Sequence, residues 1–543
     1  MKDWIDELKK GLRGDVLIDE ENLKKYSRDA SIFEVKPKVV VCPKDENDLR
    51  FLVEFANKHP GISLTGRAAG TDMTGGPLST SVVVSFTQYF DKIKRLTKKT
   101  AIVQPGVYYR NFEKKADKIK VIFPSYPASK SICAMGGIIA NNSGGEKSLS
   151  FGQTVDHVKK LKVILADGNF YELKKLDKFE LNKKLKKKDF EGQIYNKIFH
   201  LCEKNYDLIR SAEPKVSKNS CGYYLWKVWD REKGTFDLSK LFVGSQGTIG
   251  LWTEAEIDVV KKDKHSRLVA VFLKDLKQIT PLIDMVKKYH PQSLESFDKN
   301  TMDLGIRFFP EIAKKVHQNI ISFLWGLRRE AENTLLHGLP IFIILVELAG
   351  DKEKEIQERA NVLGKELDQL KINNLVMQSE QEGEKYWIMR RESFNLLREK
   401  VREKSATPFV DDFSVKPEYL SEFLPKLYDL LIKNGIQPNL AGHVGDGNFH
   451  IIPLMDLKKE EERKKIPKVL KDFTNLVKEY RGTIAAEHND GLIRTSYVEK
   501  QFGRKIVGLF EDVKNIFDKD NIFNPGKKVH GNMRFAMSHI KRS

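Results

Sequence analysis

Cysteine is scarce in this 543-residue sequence: the four present, Cys42, Cys133, Cys202 and Cys221, lie far apart and form no CxxC pair. Zinc ribbons and iron–sulfur clusters use closely spaced cysteines, and disulfide frameworks are typical of small, cysteine-rich secreted chains. The spacing argues against all three. It favours a protein of the reducing cytoplasm.

Long apolar runs are also missing. The longest, LPIFIILVELAG from Leu339, contains a proline and a glutamate and is too short to span a bilayer. The N-terminal MKDWIDELKKGLRG is typical of a short amphipathic helix and has no apolar core of the kind found in export signals. The sequence therefore predicts a cytoplasmic protein that at most contacts the inner face of a membrane.

Basic residues outnumber acidic ones by 94 to 75, which gives a formal net charge of +19. Because lysines are spread along the chain among many acidic residues, we expect no specific nucleic-acid binding. The stretch 306–330 mixes large apolar residues with lysine and arginine. It indicates either a core helix of a second domain or a surface that contacts a membrane or a partner.

Two glycine-rich loops each follow an extended segment in the first half of the chain. The first contains Gly66, Gly70, Gly75 and Gly76, and the second runs from Gly136 to Gly145. Without Cβ atoms, successive backbone N–H groups can converge on a diphosphate. Neither loop has P-loop or Rossmann spacing, and each alone is a turn as often as a binding site. Together they favour a bulky dinucleotide.

Two of the twelve histidines flank a turn in AGHVGDGNFHII, residues 441–452. Asp446-Gly447 favours a two-residue hairpin turn, which pairs His443 directly with His450 and sets their Cβ atoms about 4.5–5.5 Å apart. That spacing suits one metal ion, although such a pair can also stabilise a turn or a core. The distant pair Glu487-His488 can complete the site in two ways. Either Glu487 is the anionic third ligand and His488 is the base, or His488 is the ligand and Glu487 is the base.

Several blocks of the sequence resemble those of one flavoprotein family. TGRAAGTDMTGG, AMGGIIANNSGGEKSLSFG and GSQGTIGLWTEAEI are similar to FAD-domain segments of the vanillyl-alcohol oxidase type. ESFD, YWIMRR, GHVGDGNFH, AAEHNDGLIR and NIFNPGK follow in the order found in D-lactate, glycolate and D-2-hydroxyglutarate dehydrogenases. The resemblance covers about residues 33–530.

The resemblance implies an α+β fold with a two-part FAD-binding domain of the vanillyl-alcohol oxidase type. An α/β substrate, or cap, domain with an antiparallel sheet completes it. Because a new pattern of longer helices starts near residues 258–266, we place the domain boundary there. The expected organisation is an N-terminal helical segment (1–32), the FAD domain (33–260), the cap domain with the metal site (261–505), and a C-terminal helix and loop that return to the FAD domain (506–543).

The resemblance also implies that FAD is bound non-covalently, since relatives with covalent flavin carry a histidine where this chain has Thr71. The residues that it assigns to FAD are Gly66, Arg67, Ala68, Ala69, Gly70, Thr71, Ser129, Gly136, Gly137, Asn141, Ser143, Gly144, Gly247, Ile249 and Asn524.

The implied activity is the oxidation of a small D-2-hydroxy acid, with D-lactate as the first candidate, to the 2-oxo acid. The alternatives are D-2-hydroxyglutarate or glycolate, or a flavin oxidase of another alcohol. The resemblance assigns a divalent metal (Zn, Mn or Fe) to His443, His450 and Glu487, and the role of base to His488. It matches Arg390 to the arginine that binds the substrate carboxylate, with Arg391 and Arg494 as weaker alternatives.

Three departures concern the substrate pocket and the acceptor. Many relatives have asparagine where this chain has Ile452, often glycine at Asn489, and a proline-aspartate-proline run in place of PSYPAS. The sequence ends at HIKRS without a cysteine-rich module, so we expect electrons to pass to a quinone or to a separate iron–sulfur or electron-transfer protein.

Overall fold

A computed structural model describes residues 2–307, 338–400 and 405–542. Its first sheet has four strands, in the spatial order Asp15–Leu17, Val39–Cys42, Val82–Ser85 and Leu64–Arg67. The last three are parallel and the first is antiparallel to its neighbour. The two valine-rich strands are buried at every residue, as expected for parallel strands covered on both faces.

The second sheet is antiparallel and has five strands. Their order is Ile93–Leu96, Thr100–Val103, Leu251–Asp258, Val158–Ile164 and Phe170–Lys174. Two-strand ribbons join Val121–Ile122 to Val260–Lys261 and Trp229–Asp230 to Thr235–Phe236.

A seven-stranded antiparallel sheet dominates the second half. Its order is Asn373–Val376, His265–Leu273, Phe342–Gly350, Ser293–Asp298, Leu440–His443, Asn448–Ile451 and Phe413–Ser414. A short ribbon pairs Ser405–Ala406 with Leu454–Met455. The sheet carries ESFD and the histidine hairpin on neighbouring strands, which brings these distant motifs together.

Helices cover both halves. Those of the first are Lys2–Gly11, Glu20–Tyr26, Glu46–Lys58, Tyr109–Asp117, Met135–Asn141, Ser148–Phe151, Thr154–His157, Lys178–Leu185, Phe190–Lys204, Tyr206–Ala212 and Ser239–Phe242. Those of the second are Ile279–Lys287, Lys299–Arg307, Glu353–Gln369, Glu380–Lys400, Leu420–Lys433, Glu460–Glu479, Gly491–Arg494, Val498–Phe502, Arg504–Phe517 and Met533–Ser538.

The helix Glu46–Lys58 shows how the local sequence determines where a helix begins and which face it buries. Glu46–Lys58 begins after Asp45, whose carboxylate accepts the N–H groups of Asn47 and Asp48. The helix then buries Leu49, Leu52, Val53, Phe55 and Ala56, an apolar stripe at helical spacing. The mixture of helices with separate sheets confirms the predicted α+β fold.

The chain ends pack on the first sheets. Asp15–Leu17 lies antiparallel to Val39–Cys42, Leu64 pairs with Phe523, and Phe33 pairs with Ile540. Most of the stretch 306–330 lies outside the described residues. Within the described part of the chain, no helix combines the length and apolarity needed to cross a membrane. All four cysteines are buried and free.

Asn524 ties the C-terminal segment to the cofactor loops. Its amide donates to the carbonyls of Gly76 and Gln246, and its carbonyl accepts from the Thr65 hydroxyl. The residue is buried and left-handed, with φ of 38°, a conformation that asparagine tolerates better than most residues.

Replacing Asn524 by alanine should lower the free energy of unfolding by about 1–3 kcal/mol for each buried group left without a partner. Denaturant unfolding followed by circular dichroism, with FAD in excess, measures this loss. Asn196→Ala, at an exposed helical position, is the control and should leave stability unchanged. Equal stability of both variants would contradict the structural role of Asn524.

Candidate functional site

One large cavity, of about 900 Å³, lies between the glycine loops and the seven-stranded sheet. Thirteen of the fifteen residues assigned to FAD line it: Gly66, Arg67, Ala68, Ala69, Gly70, Thr71, Ser129, Gly136, Gly137, Asn141, Ser143, Gly144 and Gly247. Ile249 and Asn524 are not among the described lining residues; Ile249 is buried in the core, and Asn524 braces the loops from behind. The volume is within the range of about 300–1,000 Å³ that is usual for cofactor and ligand pockets.

The glycine loops leave room for a cofactor. Gly70 adopts φ of +72°, and a Cβ atom there would collide with the Arg67 guanidinium. A Cβ atom at Gly137 would meet nothing within 4 Å, so this cavity-lining position is open. Arg67 donates to the carbonyls of Tyr26 and Arg28, which brings the segment after Tyr26 to the cavity wall. These features fit a flat cofactor that lies along the loops.

The predicted hairpin register is wrong. His443 pairs with Asn448 and His450 pairs with Ala441, so a four-residue connection replaces the expected two-residue turn. The reason is local: Val444–Asp446 forms a 3₁₀ turn that Gly447 closes with φ of 61°. Because the pairing register differs by two residues from the predicted one, each histidine side chain stays on the same face of the sheet. The two imidazoles are diagonal neighbours, with ring centroids 5.5 Å apart.

Both imidazoles meet one carboxylate oxygen of Glu487. Glu487 Oε1 lies 3.3 Å from His443 Nε2 and 3.1 Å from His450 Nε2. Two ligands bound at about 2.1 Å to one ion, at angles between a right angle and the tetrahedral angle, lie about 3.0–3.4 Å apart. The donor set of two imidazole nitrogens and a carboxylate oxygen, and the two distances from Glu487 Oε1, therefore fit a divalent cation.

Asp412 belongs to an overlapping cluster that does not contain His443: ligand atoms of Asp412, His450, Glu487 and His488 lie within 4.8 Å of one another. Its carboxylate, however, accepts the backbone N–H groups of Ala486, Glu487 and His488. Since these amides already occupy its oxygens, Asp412 suits the role of an anchor for the 486–488 loop better than that of a ligand.

The second oxygen of Glu487 faces a fully buried lysine. Lys218 Nζ lies 3.2 Å from Glu487 Oε2 and 3.6 Å from Asp446 Oδ2. Burial alone would lower the pKa of Lys218, but the two carboxylates outweigh it and raise that pKa. Burial likewise opposes the ionisation of Glu487, yet Lys218 and His443 hold its pKa well below the ordinary value. Glu487 is thus an anion with one oxygen turned to the imidazoles.

His488 lies beside the proposed ligands on the cavity wall. Its ring stacks on that of His450, with centroids 4.9 Å apart and planes inclined by 19°. Its Nδ1 is 2.8 Å from Asp411 Oδ2, and its Nε2 is 4.0 Å from Glu487 Oε1. Burial would lower the pKa of His488, but the carboxylates of Asp411 and Asp412 outweigh burial and raise it.

Glu295, from the ESFD block, contacts both His443 and Arg390. Its Oε1 contacts His443 Nδ1, and its Oε2 lies 3.1 Å from both Nε and Nη2 of Arg390. Burial works against a charged His443, but Glu295 and Glu487 outweigh it and raise the pKa. Arg390 is buried and lines the cavity, so its guanidinium can serve both Glu295 and a bound carboxylate.

The two alternative arginines, Arg391 and Arg494, form ion pairs or hydrogen bonds with other groups of the protein. Arg391 forms a forked pair with Glu146, and its guanidinium lies over the Trp387 ring at 5.0 Å. Arg494 is buried and donates to the backbone carbonyls of Asn489 and Asp411. Arg391 reaches the cavity lining, whereas Arg494 is not among the described lining residues.

Sequence reasoning missed Lys218, Asp411, Asp412 and the role of Glu295. The available signal was the pair of aspartates inside the apolar PFVDDFSV, because charges buried in an apolar segment need partners. The departure at Asn489 has a structural explanation: the residue adopts φ of 69°, a conformation that glycine favours and asparagine tolerates.

Two family models match the chain. The family described as FAD linked oxidases, C-terminal domain, matches residues 262–528, and a family described as FAD binding domain matches residues 37–174. D-2-hydroxyglutarate dehydrogenase of Escherichia coli (strain K12) is 26% identical over 535 residues, which cover 95% of this chain and 50% of that protein. The chain spans about half the length of the first four curated relatives.

Other relatives match over most of their length. D-lactate dehydrogenase of Archaeoglobus fulgidus is 25% identical over 494 residues, with 90% of this chain and 91% of that protein covered. Among solved structures, p-cresol methylhydroxylase with bound substrate aligns with a TM-score of 0.68 at 14% identity, over 97% of this chain and 96% of that one. This likeness confirms the predicted two-domain fold of the vanillyl-alcohol oxidase type.

Replacing Gly137 by leucine should abolish most FAD binding and leave the fold intact, because the new side chain enters open cavity space. The flavin absorbance of the purified protein, relative to protein concentration, measures the loss. Gly508→Leu is the matched control: Gly508 is also helical, and a Cβ atom there also meets nothing within 4 Å, but it does not line the cavity. Full flavin content in Gly137→Leu would contradict the assignment of the cavity to FAD.

Proposed function

The chain belongs to the FAD-linked oxidases, and we propose that it is an FAD-dependent dehydrogenase of small D-2-hydroxy acids, with D-lactate as the first candidate substrate. One observation carries the proposal. His450, Glu487, His488 and Arg390 line the same cavity as the glycine loops. Groups suited to hold a 2-hydroxy acid therefore face the space suited to a flavin.

Arg390 is proposed to bind the substrate carboxylate. A guanidinium has five N–H donors, and the ion pair with Glu295 uses those of Nε and Nη2. The remaining donors can form a two-pronged pair with a carboxylate. Because Glu295 is also buried, the ion pair keeps the arginine in one orientation before substrate arrives.

His488 is proposed to take the hydroxyl proton. Its Nδ1 faces the Asp411 carboxylate, so a neutral His488 carries its proton there and has a free lone pair on Nε2. That Nε2 lies 4.0 Å from Glu487 Oε1, next to the proposed metal ligands. After proton transfer, the carboxylates of Asp411 and Asp412 would stabilise the charged imidazole.

A divalent metal and FAD would supply the remaining chemistry. A divalent cation on His443, His450 and Glu487 would acidify the substrate hydroxyl, and FAD would accept the hydride from the substrate carbon. The protein itself provides the orientation of the acid and a place for its proton. A separate quinone or electron-transfer protein is proposed as the final acceptor.

Ile452 is the reason for choosing D-lactate before D-2-hydroxyglutarate. It is buried, follows His450 by two residues and lines the cavity. An apolar side chain there suits the methyl group of lactate better than a second carboxylate. D-2-hydroxyglutarate and glycolate remain the alternative substrates, since the first relatives are D-2-hydroxyglutarate dehydrogenases.

Anaerobic addition of D-lactate should bleach the flavin, with D-2-hydroxyglutarate and glycolate as parallel substrates and L-lactate as the control. Removal of bound metal with a chelator should abolish bleaching, and Zn²⁺ or Mn²⁺ should restore it. The absorbance of the flavin is the measurement. Bleaching that survives complete metal removal would favour the alternative of a flavin oxidase of another alcohol, and no bleaching by any of these acids would overturn the proposal.

The substitution His488→Gln should lower the maximum rate of flavin reduction by about 10²–10⁴-fold, the usual contribution of a positioned base. The KM and the metal content should change little, because the three proposed ligands remain. Stopped-flow absorbance and elemental analysis give the two readouts. His200→Gln, an exposed histidine on Phe190–Lys204, is the control. Loss of metal in His488→Gln would instead make His488 a ligand.

A further inference from the structure

Asp411 contacts two imidazoles with its two oxygens. Oδ1 lies 3.1 Å from His450 Nδ1, and Oδ2 lies 2.8 Å from His488 Nδ1. Asp411 is fully buried and also lines the cavity. In the described part of the chain, both hydrogen bonds of this carboxylate go to histidine rings, so it braces no backbone segment.

The contact decides where each ring carries its proton. An ionised carboxylate only accepts hydrogen bonds, so Nδ1 of both rings must be the protonated nitrogen. A neutral imidazole with a proton on Nδ1 has a free lone pair on Nε2. His450 Nε2 lies 3.1 Å from Glu487 Oε1, at the proposed metal site, and His488 Nε2 lies 4.0 Å from the same atom.

We propose that Asp411 is a positioning residue that fixes the tautomers of His450 and His488 together. One carboxylate then prepares a metal ligand and the proton acceptor at once, and it holds their rings in the parallel stack described above. The inference rests on the proposed function and adds a residue to it. Acting through both imidazoles, Asp411 links the strength of metal binding to the orientation of the base.

The backbone holds Asp411 in place independently of its carboxylate. The Arg494 guanidinium donates to the Asp411 carbonyl, and the next residue, Asp412, anchors the 486–488 loop. The substitution Asp411→Asn therefore leaves these contacts intact. It changes one oxygen to an amide nitrogen, which donates, so one of the two rings must give up its proton on Nδ1.

The first measurement is Zn²⁺ binding to the FAD-loaded, chelator-treated protein by calorimetry. Asp411→Asn should bind Zn²⁺ about 10–100-fold more weakly, as is usual when the partner of a metal-bound histidine is lost. Asp298→Asn is the matched control. Asp298, the last residue of the strand Ser293–Asp298, is also buried, and its carboxylate accepts from the Thr301 N–H and the Tyr428 hydroxyl. Its Zn²⁺ affinity should equal that of the wild type.

The second measurement is a double-mutant cycle on the rate of flavin reduction at saturating Zn²⁺ and D-lactate. Asp411→Asn alone should slow reduction by about 10²–10⁴-fold, since the base loses its orientation. Added to His488→Gln, it should have almost no further effect, because it acts through that ring. If Asp411 only supported the fold, Asp411→Asn would slow flavin reduction by the same factor in the wild type and in His488→Gln.

Unchanged Zn²⁺ affinity together with equal effects on the two backgrounds would overturn the proposal. If no 2-hydroxy acid reduces the wild-type flavin, the proposed function fails. The Zn²⁺ measurement then still decides whether Asp411 positions His450. Weaker binding in Asp411→Asn then supports the assignment at His450, and unaltered binding refutes it.

Discussion

The carboxylate of Asp412 gathers three successive backbone N–H groups, those of residues 486–488, and the site depends on this contact. Burying a carboxylate is costly unless hydrogen bonds replace its water, and backbone amides do so well. Because Asp412 directly precedes Phe413–Ser414, the strand beside the histidine hairpin, its contacts with these amides hold Glu487 and His488 near the same edge of the sheet. This anchor helps to hold Glu487 against both imidazoles.

The balance of buried charge follows from the same packing. Three buried carboxylates contact the imidazoles: Glu295 meets His443, Glu487 meets His443 and His450, and Asp411 meets His450 and His488. Burial opposes charged imidazoles, but the neighbouring carboxylates outweigh burial and raise the pKa of all three histidines.

The sequence predicted those features of the fold and the site that depend on local residue types. Glycine patterns can predict a phosphate-binding loop because the backbone itself would do the binding, and the resemblance supplied the chemical types around the histidines. The hairpin register was wrong because the turn residues allow both a two-residue turn and the 3₁₀ turn of Val444–Asp446. Lys218, Glu295 and Asp411 escaped because their partners are distant in sequence: 269 residues separate Lys218 from Glu487, and 77 separate Asp411 from His488. No local pattern encodes such pairs.

The loop with Glu487 is held from both halves of the chain, and this bears on how substrate could be positioned. From the first half, Gln153 donates to the Ala486 carbonyl, and the N–H of Gly491 donates to Gln246. Lys218 reaches Glu487 itself, and a Cβ atom on Gly144, in the second glycine loop, would approach Glu487 Oε2 to 3.1 Å. Gly144 therefore lies next to the Glu487 carboxylate. A change in the distance between the flavin space and the proposed ligands would have to break several buried hydrogen bonds at once. In the proposed reaction hydride transfer would depend steeply on this distance, and a loop held by both domains would help to keep the distance constant.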